Sequence, residues 1–275
     1  MIVRSLQNTN IDKIIDCFLA AFDNYFVKMP MDFNYYKQRW KTSGVRFDLS
    51  FGMFDNEKLV GFILNAIDER QGTLIAYNAG TGVIPEYRGN RILKSIYKYA
   101  IANLAENGIS KCILEVIKEN DIAIKSYESI GFNLCKRYKC FNGTISAANN
   151  FKVALKEISY LDFNWDKTIN QDLYSWDNHK NSLKNGDYRY FQIFKENERE
   201  SYFVINRDNI SIAQLDVLVN NPASWSRLFQ GIKTISENIK INNIDDCLTD
   251  KIAAIESAGL VNYINQYEME LNLVK

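Results

Sequence analysis

The sequence contains a single histidine, and this scarcity excludes several kinds of catalytic site. A metal site built on two histidines is impossible, and we predict no metal. A Ser-His-Asp triad would have to use His179, and no nucleophile elbow of the Gly-x-Ser-x-Gly kind accompanies it. We expect His179 to lie in an exposed loop or at a helix end.

Other absences restrict the compartment and the partners. The five cysteines are odd in number and include no Cys-x-x-Cys pair, which is typical of reduced thiols in a cytosolic protein. No apolar run approaches the roughly 20 residues of a membrane helix, and the N-terminal segment lacks the apolar core of a signal peptide. Basic and acidic residues balance at 33 each, which argues against a general nucleic-acid binder. We expect a cytoplasmic protein with neither membrane nor nucleic-acid partners.

The hydrophobic periodicity of the first half alternates between strands and helices. Asn10 is a candidate N-cap for a helix that follows a short first strand, and Gly44 is placed to end a second helix. Three strands follow, the first two joined at an Asp-Asn turn. The order continues as helix, strand, helix and strand. This pattern predicts a mixed α/β unit of about one domain.

The segment VIPEYRGNRIL, residues 83–93, joins a strand to a helix through a basic turn. A helix N-terminus presents unpaired backbone N–H groups and a partial positive charge, which suit a phosphate. Arg88 and Arg91 would add full charges. The alternative is a surface turn with two solvated arginines.

The segment LEVIKENDIAIKSYESIGF, residues 114–132, carries three candidate polar residues. Glu115 interrupts an apolar strand, where a carboxylate needs a partner or a cleft. Asn120 is placed to cap the next helix. Tyr127 lies on that helix, where packing into the core is the alternative to a catalytic role.

Together these two segments resemble the GNAT superfamily of acetyl-CoA-dependent N-acetyltransferases. The first is similar to its strand-Pro-x-x-Arg/Gln-x-x-Gly-x-Gly/Ala block, and the second to its Glu-(x)4-Asn-(x)6-Tyr-Glu-x-x-Gly-Phe block. The match covers roughly residues 1–143. It implies the GNAT fold, with a mixed sheet, and acetyl-CoA as co-substrate.

The resemblance also implies roles for individual residues. Tyr127 would be the general acid that protonates the departing thiolate. Glu115 matches the general base of ribosomal-protein alanine acetyltransferases, and an edge or ion-paired glutamate is the alternative. The cofactor would be bound by the strand end, the turn and the asparagine: Thr81, Gly82, Val83, Arg88, Gly89, Asn90, Arg91, Ile92, Leu93 and Asn120.

The sequence departs from the family pattern in the turn. The small residues of the Gly-x-Gly/Ala element are replaced by Arg91 and Leu93, so less room is left for a pyrophosphate. This departure favours an alternative function, a CoA-binding regulatory module without turnover. Glu115, Asn120 and Tyr127 favour the enzyme. A third alternative is an inactive scaffold.

The second half repeats the order of elements of the first. IESAGL, residues 255–260, lies where the first half has YESIGF, residues 127–132. Ile255 replaces the tyrosine, and no Arg-Gly turn is present. We therefore predict two tandem GNAT-like domains, residues 1–143 and 150–275, of which the second has lost its cofactor site and shapes the acceptor site.

The complete prediction is an enzyme, a GNAT-type acyltransferase. It would transfer the acetyl group from acetyl-CoA to a primary amine of a small molecule or peptide. The two halves would form a pseudo-dimer within a monomer. The acceptor itself is not identified by any segment, although the aromatic stretch YFVKMPMDFNYY, residues 25–36, would either line a pocket or pack.

Overall fold

The computed structural model describes residues 1–23, 25–146, 153–208 and 210–273. The chain divides into two compact units. The first unit comprises Met1–Cys135 and Glu268–Lys275, and the second comprises Lys136–Tyr267. Each is an α/β unit with a mixed sheet, which confirms the predicted fold class.

In the described part of the first unit, the first strands of the chain lie in the order β1-β2-β3-β4-β5. Neighbours are antiparallel except β4 and β5, which run parallel. The strands are β1 (Ile2–Ser5), β2 (Phe51–Asp55), β3 (Lys58–Arg70), β4 (Thr73–Val83) and β5 (Lys111–Ile117). The helices are α1 (Ile11–Ala21), α2 (Phe33–Ser43), α3 (Ile92–Glu106) and α4 (Asp121–Glu128).

The sequence signals for the first two helices act as predicted. The Asn10 side chain accepts a hydrogen bond from the backbone N–H of Asp12 at 2.8 Å, which caps α1. Gly44 ends α2 in the left-handed conformation, at φ +82°. The buried face of α1 packs through Phe18, whose ring contacts those of Trp40 and Phe62. This contact fixes α1 against the sheet.

The second unit contains strands in the order β6-β11-β10-β9-β8-β7, of which only β10 and β11 are parallel. The strands are β6 (Asn133–Thr144), β7 (Ala154–Ile158), β8 (Tyr188–Lys195), β9 (Glu198–Asn206), β10 (Ser211–Val217) and β11 (Asn238–Asp245). The helices are α5 (Lys180–Leu183), α6 (Pro222–Lys233) and α7 (Thr249–Ser257). The last strand of the chain is β12 (Val261–Asn272).

The boundary between the units falls inside strands β6 and β12. The final residues of the chain, Glu268–Lys275, belong to the first unit, where the Lys111 ammonium binds the Glu270 carboxylate at 2.6 Å. The predicted domains 1–143 and 150–275 rest on sequence repetition and the units on contacts, so those bounds stay a prediction.

One of the two positions expected for His179 is confirmed in the second unit. His179 lies at a helix end, as expected, but it is buried rather than exposed. Its Nδ1 accepts a hydrogen bond from the backbone N–H of Asn181 at 3.1 Å, which caps the short helix α5. A polar sequence neighbourhood suggested solvent, whereas the capping bond satisfies the ring and permits burial.

Candidate functional site

The two parallel strands of the first unit part from each other halfway along. Residues 75–78 of β4 pair with residues 111–114 of β5, and the pairing then stops although both strands continue. Among the described residues, no strand pairs with residues 79–83 on that side of β4. The backbone there is available to an added extended ligand.

The C-terminal end of β4 is tightly packed against α1 and β3. Gly82 has no room for a side chain, because a Cβ would lie 2.7 Å from that of Ala21 and 2.9 Å from the Phe62 ring. Arg88 reaches back to the same place, and its guanidinium donates to the carbonyls of Val83 at 3.1 Å and Ala21 at 2.9 Å. Arg88 therefore holds the strand end in position.

The turn before α3 leaves its backbone N–H groups open. Arg91 is the N-cap and adopts the left-handed conformation, φ +53°, and no described side chain caps the helix. The first intrahelical bond is donated by Ser95, to Arg91, so the N–H groups of residues 92–94 have no helical acceptor. A Cβ on Gly89 would meet nothing within 4 Å. Open N–H groups at a helix start are of the kind that suit an anion.

A pocket of about 380 Å³ lies beside this turn, between the start of α3 and the end of α4. Arg91 and Lys94 bring two positive charges to it, and Ser126 and Ser129 bring hydroxyls. Sequence analysis missed Lys94 and both serines. The signal for Lys94 was its position one turn after Arg91, on the same face of α3.

Tyr127 projects from α4 into the core of the first unit. Its ring packs edge-on against those of Tyr97 and Phe132. Burial raises the pKa of Tyr127 above its ordinary value, and a hydrogen bond with the Thr81 side chain acts in the opposite direction. The phenol is therefore protonated at neutral pH and lies at the parting of the strands, because Thr81 belongs to the unpaired part of β4.

Three further residues of the first unit lie at this place. Asn120 caps α4, where its Oδ1 accepts from the backbone N–H of Ala123 at 3.2 Å. Tyr25, which sequence analysis noted only within an aromatic stretch, hydrogen-bonds the Asn120 side chain and interacts with Tyr127. Glu115 is half-buried and is the first residue of β5 beyond the pairing with β4, with its Oε1 shielded from solvent.

The second unit has different residues at the corresponding positions. Asn243 in β11 lies twelve residues before Ile255, as Glu115 lies twelve before Tyr127. Leu248 is the N-cap of α7, without a side-chain hydrogen bond. Ile255 is fully buried. The carboxylate, the capping amide and the phenol are thus all replaced.

The gap between the parallel strands of the second unit is filled by its own chain. Strands β10 and β11 pair only through residues 211–212 and 240–241. The Tyr174 hydroxyl accepts from the Leu215 N–H at 3.2 Å, and its oxygen lies 3.0 Å from the Leu215 carbonyl oxygen. The Asn178 amide donates to the Asn242 carbonyl on β11, at 3.0 Å.

A buried ion pair completes this filled gap. The Lys251 ammonium of α7 binds the Asp216 carboxylate at 2.8 Å, and both side chains are 2 % exposed. Tyr174 and Asn170 donate to the same carboxylate at 2.6 and 3.0 Å. Burial lowers the pKa of Lys251, while Asp216 opposes that shift.

Comparison with known proteins identifies the class. Residues 14–132 match the model of the acetyltransferase (GNAT) family. The chain is 28 % identical over 115 residues to N-alpha-acetyltransferase 30 of Schizosaccharomyces pombe, covering 41 % of this chain and 73 % of that relative. It is 29 % identical over 85 residues to the ribosomal protein bS18-alanine N-acetyltransferase of Escherichia coli K12, covering 31 % of this chain and 55 % of that relative.

The fold comparison extends to the whole chain. A tandem GNAT protein from the clavulanic acid biosynthesis pathway superposes with a TM-score of 0.71 at 9 % identity, covering 100 % of this chain and 98 % of that one. Residues 14–132 thus match the acetyltransferase (GNAT) family, and the likeness to the N-acetyltransferases above lies in this part of the chain. The chain is an enzyme of the N-acetyltransferase type, and the family uses acetyl-CoA. Among the described residues, no helix is both long and apolar enough to cross a bilayer.

Proposed function

We propose that the first unit transfers the acetyl group of acetyl-CoA to a primary amine of a small molecule or peptide. The observation that carries this proposal is the parting of β4 and β5. An unpaired strand edge, a buried phenol and an open helix N-terminus surround the same gap. The second unit has the same parting but fills it with its own side chains.

The cofactor residues of the proposal are those predicted from sequence, except that Arg88 takes a supporting role and Lys94 is added. Backbone groups of Thr81, Gly82 and Val83 would hydrogen-bond the pantetheine arm, and Asn120 would contact it from α4. The pyrophosphate would lie at the turn, where N–H groups of residues 89–93 and the charge of Arg91 are available. Lys94 adds a second charge in the adjoining pocket. Arg88 supports this site by holding the strand end rather than by contacting phosphate.

The proposed chemistry is a direct attack of the amine on the thioester carbonyl carbon. A C–N bond forms and the C–S bond breaks. Glu115, or a water molecule, takes the proton that the amine loses, and Tyr127 gives its proton to the departing sulfur. Burial raises the pKa of Tyr127, so the phenol carries at neutral pH the proton that this role requires.

The relatives support a protein or peptide amine as acceptor. One is named an N-alpha-acetyltransferase and another a ribosomal-protein alanine N-acetyltransferase. The second unit, by this proposal, binds no cofactor, because Asn243, Leu248 and Ile255 replace the three polar residues and its strand gap is closed.

The experiment that tests the function is an assay of CoA release from acetyl-CoA with a panel of amines. The panel contains short peptides with free N-termini, their N-acetylated counterparts and small primary amines. Release that requires a free amine, together with acetyl-amine detected by mass spectrometry, is the expected result. Binding of CoA without turnover on any amine would instead support the regulatory-module alternative, which the Arg91 and Leu93 substitutions favour.

A further inference from the structure

The second unit contains a surface pocket that the proposed reaction does not use. The pocket has a volume of about 410 Å³, within the range of roughly 300–1,000 Å³ that small-molecule sites show. It lies in the groove between α6 and α7. The corresponding groove of the first unit, between α3 and α4, holds the basic pocket beside Arg91.

The pocket exists because one wall is aromatic and the other is made of small side chains. Trp225 and Phe229 of α6 form the first wall and are 8 % and 2 % exposed. The facing side of α7 contributes Ala253, Ala254 and Ser257. Methyl and hydroxymethyl groups cannot fill the space that the two helices leave between them.

The rim of the pocket is held by a short chain of hydrogen bonds. The Trp225 indole N–H donates to Asn220 Oδ1 at 2.8 Å. The amide of the same asparagine donates to Asp250 Oδ2 at 2.7 Å. Asn220 therefore fixes the indole and the carboxylate relative to each other.

The charge of this pocket is opposite to that of the pocket beside Arg91 in the first unit. Asp250 brings a negative charge, and none of the described residues that line the pocket is Lys or Arg. The N-terminus of α6 offers little to an anion, because Asn221 accepts from the Ser224 N–H at 2.9 Å and Pro222 has no N–H. A phosphate is thus disfavoured, and an ammonium group is favoured.

We propose that this pocket binds a small organic amine with a flat apolar body. The apolar part packs against Trp225 and Phe229, and the ammonium group binds the Asp250 carboxylate. The aromatic wall suits the apolar body, and the Asp250 carboxylate attracts the positive charge. The pocket lies wholly within the second unit, so this inference does not depend on the proposed reaction.

The first experiment is calorimetric titration of the full chain with three probes of one shape. Phenethylamine is the cation, 2-phenylethanol the neutral analogue and 3-phenylpropanoate the anion. We expect saturable binding of phenethylamine, binding at least about tenfold weaker for the alcohol, and none for the carboxylate. An alcohol that binds as tightly as the amine, or an amine that does not bind, would overturn the proposal.

Variants then locate the bound amine. Asp250→Asn should weaken phenethylamine about tenfold, whereas Glu256→Gln removes a charge from the exposed side of the same helix and should change nothing. Ala253→Leu should abolish binding by filling the pocket, and its exposed position makes the fold tolerant of the change. Binding that persists in both Asp250→Asn and Ala253→Leu would assign the amine elsewhere and overturn the inference.

Discussion

The two units begin corresponding helices in opposite ways. In the first unit, α3 starts at Arg91, which offers no side-chain cap and leaves the N–H groups of the first turn open. In the second, α6 starts at Asn221, whose side chain takes the Ser224 N–H, and Pro222 removes another donor. A helix that satisfies its own N-terminus has little to offer an anion. By our proposal, this difference at the helix start is one reason why the second unit binds no phosphate.

The strand gaps show the same contrast. A buried strand edge must find hydrogen-bond partners. The second unit supplies them from Tyr174 and Asn178, on the segment between β7 and β8. The first unit leaves residues 79–83 of β4 without a strand partner on that side, among the described residues. By our proposal a ligand supplies that partner.

The largest expected effect is a loss of turnover when the first unit loses the phenol of Tyr127, which the second unit lacks. Tyr127→Phe should lower turnover by about 10²–10⁴-fold, because the thiolate loses its general acid. CoA affinity should change little, since the phenyl ring keeps the packing. Steady-state kinetics and a CoA titration measure both quantities. Tyr99→Phe, an exposed phenol on α3, is the matched control, and wild-type turnover in Tyr127→Phe would remove Tyr127 from the mechanism.

The next effect concerns stability in the second unit. Lys251→Met leaves the Asp216 carboxylate buried without its cation, which should reduce the free energy of unfolding by about 3–5 kcal/mol. Urea denaturation checks this value. Lys240→Met, at an exposed position, should be nearly neutral. If Lys251→Met is as stable as the wild type, the ion pair does not hold the filled gap together.

A smaller effect comes from the same substitution at the two helix starts. Arg91→Ala should weaken CoA about tenfold through loss of a charged contact, and leave stability unchanged. Asn221→Ala should leave CoA binding unchanged and cost about 1 kcal/mol of stability through loss of the cap. Titration and denaturation of both variants give a two-by-two comparison. Equal effects of the two changes on CoA binding would contradict the assignment of a CoA contact to Arg91 and of a helix cap to Asn221.

The smallest expected effect is that of high pH on turnover. Burial raises the pKa of Tyr127 above the ordinary value of about 10. A general acid must hold its proton, so its contribution is complete below the raised pKa and is lost only above it. The pH profile of turnover should therefore show no decline up to about pH 10. A decline near pH 9 that Tyr127→Phe abolishes would contradict the burial argument.

Much of the first unit could be predicted because its signals are local. Asn10, Gly44 and Asn120 act on their own helices, and the period of the apolar residues separates strands from helices. Partners distant in sequence were not predictable in this way. Residues 268–275 belong to the first unit, yet nothing in their composition indicates it. A fragment ending at Gly143 would lack them, so the experiments above use the whole chain.

The candidate site shows the same division. The turn and the Tyr127 segment have fixed spacing and could be found. Lys94, Tyr25 and the serines of α4 could not, because their role depends on which elements lie side by side. The segment that fills the second gap was also missed. Tyr174 and Asn178 lie in a stretch without helical or strand period, where sequence gives little guidance.

The central claim is that one unit binds the cofactor and the other has lost that ability. Calorimetric titration of the full chain with CoA tests it most directly. We predict saturation at one equivalent, with affinity reduced in Arg91→Ala and unchanged in Asn221→Ala. Two bound equivalents, or affinity that depends on Asn221 and not on Arg91, would contradict the account.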